Sequence, residues 1–131
     1  MSRTFLFICI LALLSFSSTA QDKKASHLLD GTAVDYVYKD LGGVHVNFSN
    51  GQFKWHWASG NIGSAPYQAR KIGDKMYMVN FKVAGSSNFV TIIFNFDKKV
   101  FYTSALLDPK TKKEQLLFET GAIKQLKLNE N

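Results

Sequence analysis

The sequence predicts an all-β fold, a small antiparallel up-and-down barrel of about eight strands. Short runs of alternating β-branched and aromatic residues recur from Gly31 onward, each bounded by residues typical of turns, and no stretch shows a sustained helical period. Hydrophobic residues make up 46% of the chain, enough for a core. Short strands with tight connections favour closure into a barrel, because closure removes exposed sheet edges. A two-sheet sandwich is the alternative.

The eight candidate strands share a high content of β-branched and aromatic residues. They are Thr32 to Tyr38, Val44 to Phe48, Gln52 to Trp57, Pro66 to Ile72, Met76 to Val83, Phe89 to Phe96, Val100 to Leu107 and Gln115 to Ile123. Pairs typical of turns separate several of them, among them Gly42-Gly43, Asn50-Gly51, Gly73-Asp74 and Asp108-Pro109. Before the first strand, the segment ASHLLD could form a single helical turn that covers one end of the barrel.

The first twenty residues have the features of a secretory signal peptide. Arg3 gives a cationic start, an apolar run extends from Phe5 to Phe16, and small residues lead to Ala20. We expect cleavage after Ala20, which leaves a single domain of residues 21–131 in a secreted or periplasmic location. The apolar run is short for a membrane span, so we expect no stable membrane anchor after cleavage, and a retained anchor is the alternative.

Cysteine content and charge narrow the classes of function. The only cysteine, Cys9, lies in the apolar run, so the mature chain should have neither a disulfide nor a thiolate-bound metal. The net charge of +6 is a modest excess, much of it in lysines at predicted turns such as Lys98-Lys99. Solvated loops explain such lysines, so we expect no nucleic-acid partner. A module that binds acidic polymers through these turns is a minor alternative.

The Asn50-Gly51 pair fixes the register of the second hairpin. A two-residue turn with positive φ at both positions favours this dipeptide, and it places His45 opposite His56 and Val46 opposite Trp55. Alternation then sorts the hairpin into an apolar face, expected to point inward, and a polar face, expected to point outward. The apolar face comprises Val44, Val46, Phe48, Phe53, Trp55 and Trp57, and the polar face His45, Asn47, Lys54 and His56. Two histidines lack the third ligand of a stable zinc site, so no metal site is expected.

Aromatic residues on the inward face are the candidate lining of a ligand cavity. Tyr36 and Tyr38 share one face because they are two residues apart. A connection of three or five residues, which would pair Tyr38 with Val46 or Val44, sends both phenols inward, whereas an even count sends them outward; we favour the odd count. These phenols could bind a ligand or simply complete the core.

Such a barrel has room for one small, partly aromatic or apolar ligand. Arg70, the only arginine after the leader, could pair with a ligand carboxylate, although a lone strand arginine is more often a surface residue. The candidate ligand-binding residues are Tyr36, Tyr38, Trp55, Trp57, Tyr67 and Arg70.

Motifs for catalysis are not evident in the sequence. No Ser-His-Asp arrangement is readable, no glycine-rich phosphate loop follows a strand, and no cofactor is implied. We therefore expect a binding protein, monomeric or dimeric, rather than an enzyme.

Several segments together resemble a known family. They are YVYK, WASGNIG, PYQARKIGDKMYMVNF, VTIIFNF and FETGAI. This set resembles the small lipocalin-like domain of the MoaF type, associated by name with molybdenum-cofactor synthesis, over roughly Leu29 to Leu126. Because the shared residues are mostly fold markers, the resemblance implies a lipocalin-like barrel of the calycin type more than an activity.

The chain is more distantly similar to the phenolic acid decarboxylases, lipocalin-like lyases that use no cofactor. Tyr36 and Tyr38 match the tyrosine pair that grips the substrate carboxylate in that family, and Ser59-Gly60 matches its Ser-Gly loop. This similarity implies a decarboxylase-like lyase as the alternative function.

Two departures from the decarboxylase pattern concern its charged groups. Pro66 or Tyr67 stands where the family's arginine should fall, with Arg70 displaced along the strand. Lys82 or Val83 stands where the glutamate should fall.

Overall fold

Eight antiparallel strands close into one up-and-down barrel in the computed structural model, which describes residues 26–129. The strands are β1 (Ala33–Tyr38), β2 (Gly42–Ser49), β3 (Gln52–Trp57), β4 (Ile62–Gly73), β5 (Met76–Lys82), β6 (Phe89–Asn95), β7 (Val100–Leu107) and β8 (Gln115–Lys127). Each strand pairs with its neighbour in sequence, and β1 pairs with β8 to close the sheet. The predicted eight-stranded barrel is confirmed, and the sandwich alternative is wrong. The predicted signal peptide lies outside the described residues.

Strands β2, β4 and β8 are longer than the sequence predicts, β2 by two residues at its start and one at its end. Strand β4 begins at Ile62 rather than Pro66, because residues 62–65 already pair with β3 and Gly63 accommodates the ring of Trp55. Strand β8 continues to Lys127, with a register shift opposite Asp35 and Tyr36 that lets it follow β1 to its start. Such an irregularity bends a strand locally and helps a sheet curve into a barrel.

The hairpin of β2 and β3 has the predicted register. Val44 pairs with Trp57, His45 with His56 and Val46 with Trp55. The turn residues Asn50 and Gly51 have φ values of 52° and 69°, the positive pair that a two-residue hairpin turn of this kind requires. Every second residue of the hairpin therefore faces the interior, as predicted.

The interior is packed with aromatic rings around the middle of the barrel. Phe48 contacts Phe53 and Tyr67 edge to face, with ring centroids 5.3 and 4.9 Å apart. Phe94 and Phe101 reach the same cluster from β6 and β7 and are fully buried. Complete burial of a large apolar side chain contributes about 1.5–3 kcal/mol, so this cluster is a main source of stability.

One end of the barrel is closed by the segment before β1. It forms a hydrogen-bonded turn, as expected, in which Leu29 is only 2% exposed and enters the core. The carboxylate of Asp30 accepts hydrogen bonds from the Gly51 amide, at 3.1 and 3.2 Å, and from the Tyr67 hydroxyl, at 2.8 Å. The turn is therefore joined to β4 and to the β2–β3 turn, and this end of the barrel is closed.

No helix within residues 26–129 is both long and apolar enough to cross a membrane.

Gly121 lies where β8 meets both β1 and β7, and it has no room for a side chain. It pairs with Tyr38 on one side and Phe101 on the other, and an added Cβ would overlap the carbonyl oxygen of Val37 and the ring of Phe101. We expect Gly121→Ala to lower the free energy of unfolding by on the order of 3 kcal/mol, because the overlap includes backbone that cannot move aside. Urea unfolding monitored by tryptophan fluorescence measures the change.

Gly43→Ala is the matched control, since a Cβ on Gly43 in β2 would meet its nearest atoms at 4.0 Å, an ordinary contact. The control should unfold within about 0.5 kcal/mol of the wild type. Equal midpoints for the two variants would contradict the tight closure at Gly121.

Candidate functional site

A cavity of about 320 Å³ opens at the end of the barrel opposite Asp30. Its mouth is formed by the connections 39–41, 58–61, 83–88 and 108–114, which all lie at this end of an up-and-down barrel. The wall is apolar and aromatic, and Leu41, Val83 and Leu107 lie towards the mouth. Of the candidate ligand-binding residues, four line the cavity: Tyr36, Tyr38, Trp55 and Trp57.

Both tyrosines of β1 face the interior because the connection from β1 to β2 has three residues, 39–41. This is the odd count that the sequence favours, and Tyr36 and Tyr38 are 3% and 4% exposed. The expected partner of Tyr38 was wrong, since it pairs with Gly42, and Tyr36 pairs with Val44. Strand β2 begins two residues earlier than predicted, at Gly42, whose φ of 89° lets the chain turn directly into the strand.

The tyrosine hydroxyls form the polar part of the cavity. The Tyr38 hydroxyl is 2.8 Å from the Thr103 hydroxyl oxygen, and the rings of Tyr36 and Tyr38 meet edge to face at 5.6 Å. Burial raises the pKa of Tyr36 well above its usual value, and the charge of Tyr38 and a hydrogen bond to Tyr38 add to the increase. Burial also raises the pKa of Tyr38. Both phenols are therefore neutral hydrogen-bonding groups at ordinary pH.

The two tryptophans form an aromatic wall beside these hydroxyls. Trp57 stacks on Tyr38 with an interplanar angle of 12° and a centroid distance of 5.5 Å. Trp55 stacks on Phe81, and its indole nitrogen donates to Asn61 Oδ1 at 3.1 Å. Both indoles are only partly buried, so part of each ring remains available to a ligand.

Tyr67 and Arg70, the other two candidates, do not line the cavity. Tyr67 is buried at the closed end, where it donates to Asp30, and burial followed by the Asp30 hydrogen bond and charge raises its pKa. Arg70 is exposed, because it follows the inward-facing Ala69 on β4 and so points to the outside. Arg70 is thus a surface residue, which was the alternative interpretation of a lone strand arginine.

Glu119, a neighbour of the cavity-lining Thr103, was missed by sequence reasoning. It lies on β8 opposite the buried Thr103, at an inward-facing position, and is half-buried. Its negative charge adds to burial in raising the pKa of Tyr38. Leu116 and Phe118, on the outer face of the same strand, are 81% and 82% exposed. Because apolar residues stand on both faces of β8, alternation could not show which way Glu119 points.

The histidines of the β2–β3 hairpin lie outside the barrel, as predicted. His45 Nδ1 is 2.5 Å from Asp35 Oδ1 on β1, and His45 Nε2 is 3.4 Å from the Asn47 amide nitrogen. The Asp35 contact could not be predicted from local sequence patterns, because it depends on the register of β1 with β2. Among residues 26–129, no group of three or more potential ligand side chains is arranged to hold a metal ion.

The family model for the MoaF N-terminal domain matches residues 19–105. The match covers most of the chain, so this protein belongs to the MoaF family, in agreement with the resemblance noted from its segments. It ends within β7 and leaves out β8, the strand that carries Glu119.

A solved structure supports the fold assignment. The chain is similar to a crystal structure of a provisionally assigned beta-lactamase from Burkholderia vietnamiensis, with a TM-score of 0.63 and 13% sequence identity over 73% of this chain and 93% of the other. Likeness at this identity shows the fold alone. No curated protein matches the chain significantly.

The buried phenols should make the protein sensitive to alkali. An unfolded tyrosine loses its proton near pH 10, whereas folded Tyr36 keeps it to higher pH. The free energy of unfolding should be constant below about pH 9 and should fall above pH 10, because only the unfolded state releases the Tyr36 proton there. Each such tyrosine contributes about 1.4 kcal/mol per pH unit to this fall.

Urea unfolding between pH 8 and pH 12 measures the effect. The free energy of unfolding of Tyr36→Phe should fall less steeply with pH than that of the wild type. Tyr102→Phe removes a half-exposed phenol on the outer face, and its free energy of unfolding should fall as steeply as that of the wild type. A wild-type slope in Tyr36→Phe would show that Tyr36 ionises as easily in the folded state.

Proposed function

We propose that this protein is an exported binding protein that holds a small, partly aromatic or apolar ligand in the open half of its barrel. The observation that carries the proposal is the contrast between the two ends: Leu29 and the Asp30 contacts close one, whereas the other has a cavity of about 320 Å³. Small-molecule sites are typically apolar clefts of about 300–1,000 Å³ with a few convergent polar groups. The cavity has this character.

The side chains of the cavity favour recognition by stacking. Trp57 and Tyr38 offer a stacked pair, and Trp55 and Phe81 a second one, on the same wall. An aromatic or flat apolar ligand placed against such rings gains favourable contacts beyond the burial of its surface. The Tyr38 and Thr103 hydroxyls could orient its polar end.

Export is the other part of the proposal. It is supported by the cationic start at Arg3, the apolar run from Phe5 to Phe16 and the small residues before Gln21. The chain after the predicted signal peptide has no cysteine, so its fold would be compatible with either an oxidising or a reducing compartment.

A decarboxylase-like lyase is the second candidate, and it has one observation in its favour. The Tyr36 and Tyr38 rings are side by side in the cavity, as a pair that grips a substrate carboxylate would be. Against it, Arg70 faces outward, and neither Lys82, which is exposed, nor Val83 supplies a carboxylate. Pocket geometry therefore supports binding better than it supports this reaction.

Binding can be tested with N-phenyl-1-naphthylamine, a neutral probe whose emission rises in apolar surroundings. We expect saturable binding that Ala105→Phe weakens about tenfold or more, because Ala105 lines the cavity and the added ring would occupy it. Ser104→Phe is the matched control, since it adds the same ring to the adjacent, outward-facing position on β7. Loss of binding in both variants, or in neither, would contradict a site inside the barrel.

Lyase activity is tested with p-coumaric acid. Incubation with the purified protein should leave the ultraviolet absorbance of the acid unchanged, because the cavity lacks a basic side chain to hold its carboxylate among the residues described. A loss of absorbance that Tyr36→Phe abolishes would instead make the lyase the better assignment.

A further inference from the structure

The polar groups that line the cavity are all uncharged. Hydroxyls of Tyr36, Tyr38 and Thr103 and the side chain of Asn61 are the polar members of its lining. No lysine, arginine or histidine lines it in the part of the chain that the structure describes. The charged side chain nearest to these hydroxyls in the barrel register is Glu119, the inward-facing partner of Thr103.

Glu119 lies on β8, the strand that completes the barrel, next to the cavity-lining Thr103. Thr103, its partner on β7, is 2% exposed and contacts the Tyr38 hydroxyl, so the carboxylate, Thr103 and Tyr38 are neighbours. Gly121, the next inward position on β8, has no side chain, and Leu117, the inward position before it, lines the cavity. Glu119 therefore lies between the Phe101 ring, which packs over Gly121, and the apolar side chain of Leu117, and it is only half-buried.

These uncharged polar groups and the neighbouring Glu119 carboxylate should favour a positively charged ligand over a negatively charged one. A ligand carboxylate placed among these hydroxyls would lose its hydration, gain no cationic partner and lie close to a like charge, which is unfavourable. A ligand ammonium would gain a charge-assisted hydrogen bond to Glu119 and could also contact the faces of Trp57 and Tyr38, which attract cations.

We propose that the cavity selects small aromatic or apolar amines, with Glu119 as the partner of the ligand ammonium and the rings of Trp55 and Trp57 against its apolar part. The inference rests on the ligand site proposed above and names the chemical class of its ligand. It differs from the lyase alternative, whose substrates are carboxylic acids.

Lysines near the mouth do not reverse this preference. Lys110, Lys112 and Lys113 lie on the exposed connection between β7 and β8, where water and salt screen their charge over about 8 Å at physiological ionic strength. Glu119 is partly buried next to the cavity-lining Thr103, where an interaction between charges is screened less.

The test compares three probes of similar size and different charge: 2-phenylethylamine, 2-phenylethanol and 3-phenylpropanoate. Quenching of Trp55 and Trp57 fluorescence at pH 7 reports binding, since a phenyl ring adds little signal of its own. We expect the amine to bind about tenfold more tightly than the alcohol, and the carboxylate to bind more weakly than the alcohol. Glu119→Gln should abolish the preference for the amine, so that the amine and the alcohol bind this variant with similar affinity.

Glu114→Gln is the matched control, because it removes the same charge from the exposed connection at the mouth. It should keep the preference for the amine. If the alcohol binds and the amine binds no better, or if Glu119→Gln and Glu114→Gln behave alike, the amine inference is overturned and the cavity remains a ligand site. If neither these probes nor the naphthylamine binds, the proposed function itself fails.

Discussion

The register of β2 against β3 is the constraint on which the rest of the barrel depends. Side chains alternate along a strand, so a slip of one residue would exchange the interior and exterior faces of the hairpin. The turn prevents this slip, because Asn50 and Gly51 both adopt positive φ and leave Ser49 opposite Gln52. The Gly51 amide also donates to Asp30, which joins the same turn to the segment that closes the barrel.

The fold divides its interior into two unlike halves. Towards the Asp30 end, Phe48 and Tyr67 fill the barrel with contacting rings. Towards the other end, small or hydroxyl-bearing side chains such as Ala105 and Thr103 leave space beside the tryptophans. The packed half stabilises the barrel, and the other half can therefore remain partly unfilled.

Much of the fold follows from local features of the sequence. The barrel, the β2–β3 pairs and the inward direction of Tyr36 and Tyr38 follow from alternation and turn chemistry, which act within a few residues. The position of Tyr67 could not be predicted this way, because its depth depends on how far each strand is displaced along its neighbour. Such displacement accumulates around the barrel and is not a local property.

The charged residues Arg70 and Glu119 were the hardest to place from the sequence. Arg70 was a candidate because of its charge, yet its position next to Ala69 turns it outward. Glu119 was overlooked because Leu116 and Phe118, which would ordinarily mark an inward face, are exposed on β8. Its direction becomes clear only when β8 is paired with β7, where Thr103 is its partner. Long-range pairing, rather than composition, thus decides the chemistry of the cavity.

Native mass spectrometry of the protein purified from its own host would show whether the open half of the barrel holds a small molecule. We expect an intact ion of the mature chain beginning at Gln21 that carries a small noncovalent adduct. The adduct should be absent from Ala105→Phe and present in Ser104→Phe. An adduct that survives in Ala105→Phe, or a bare polypeptide in every preparation under conditions that preserve noncovalent complexes, would contradict this expectation.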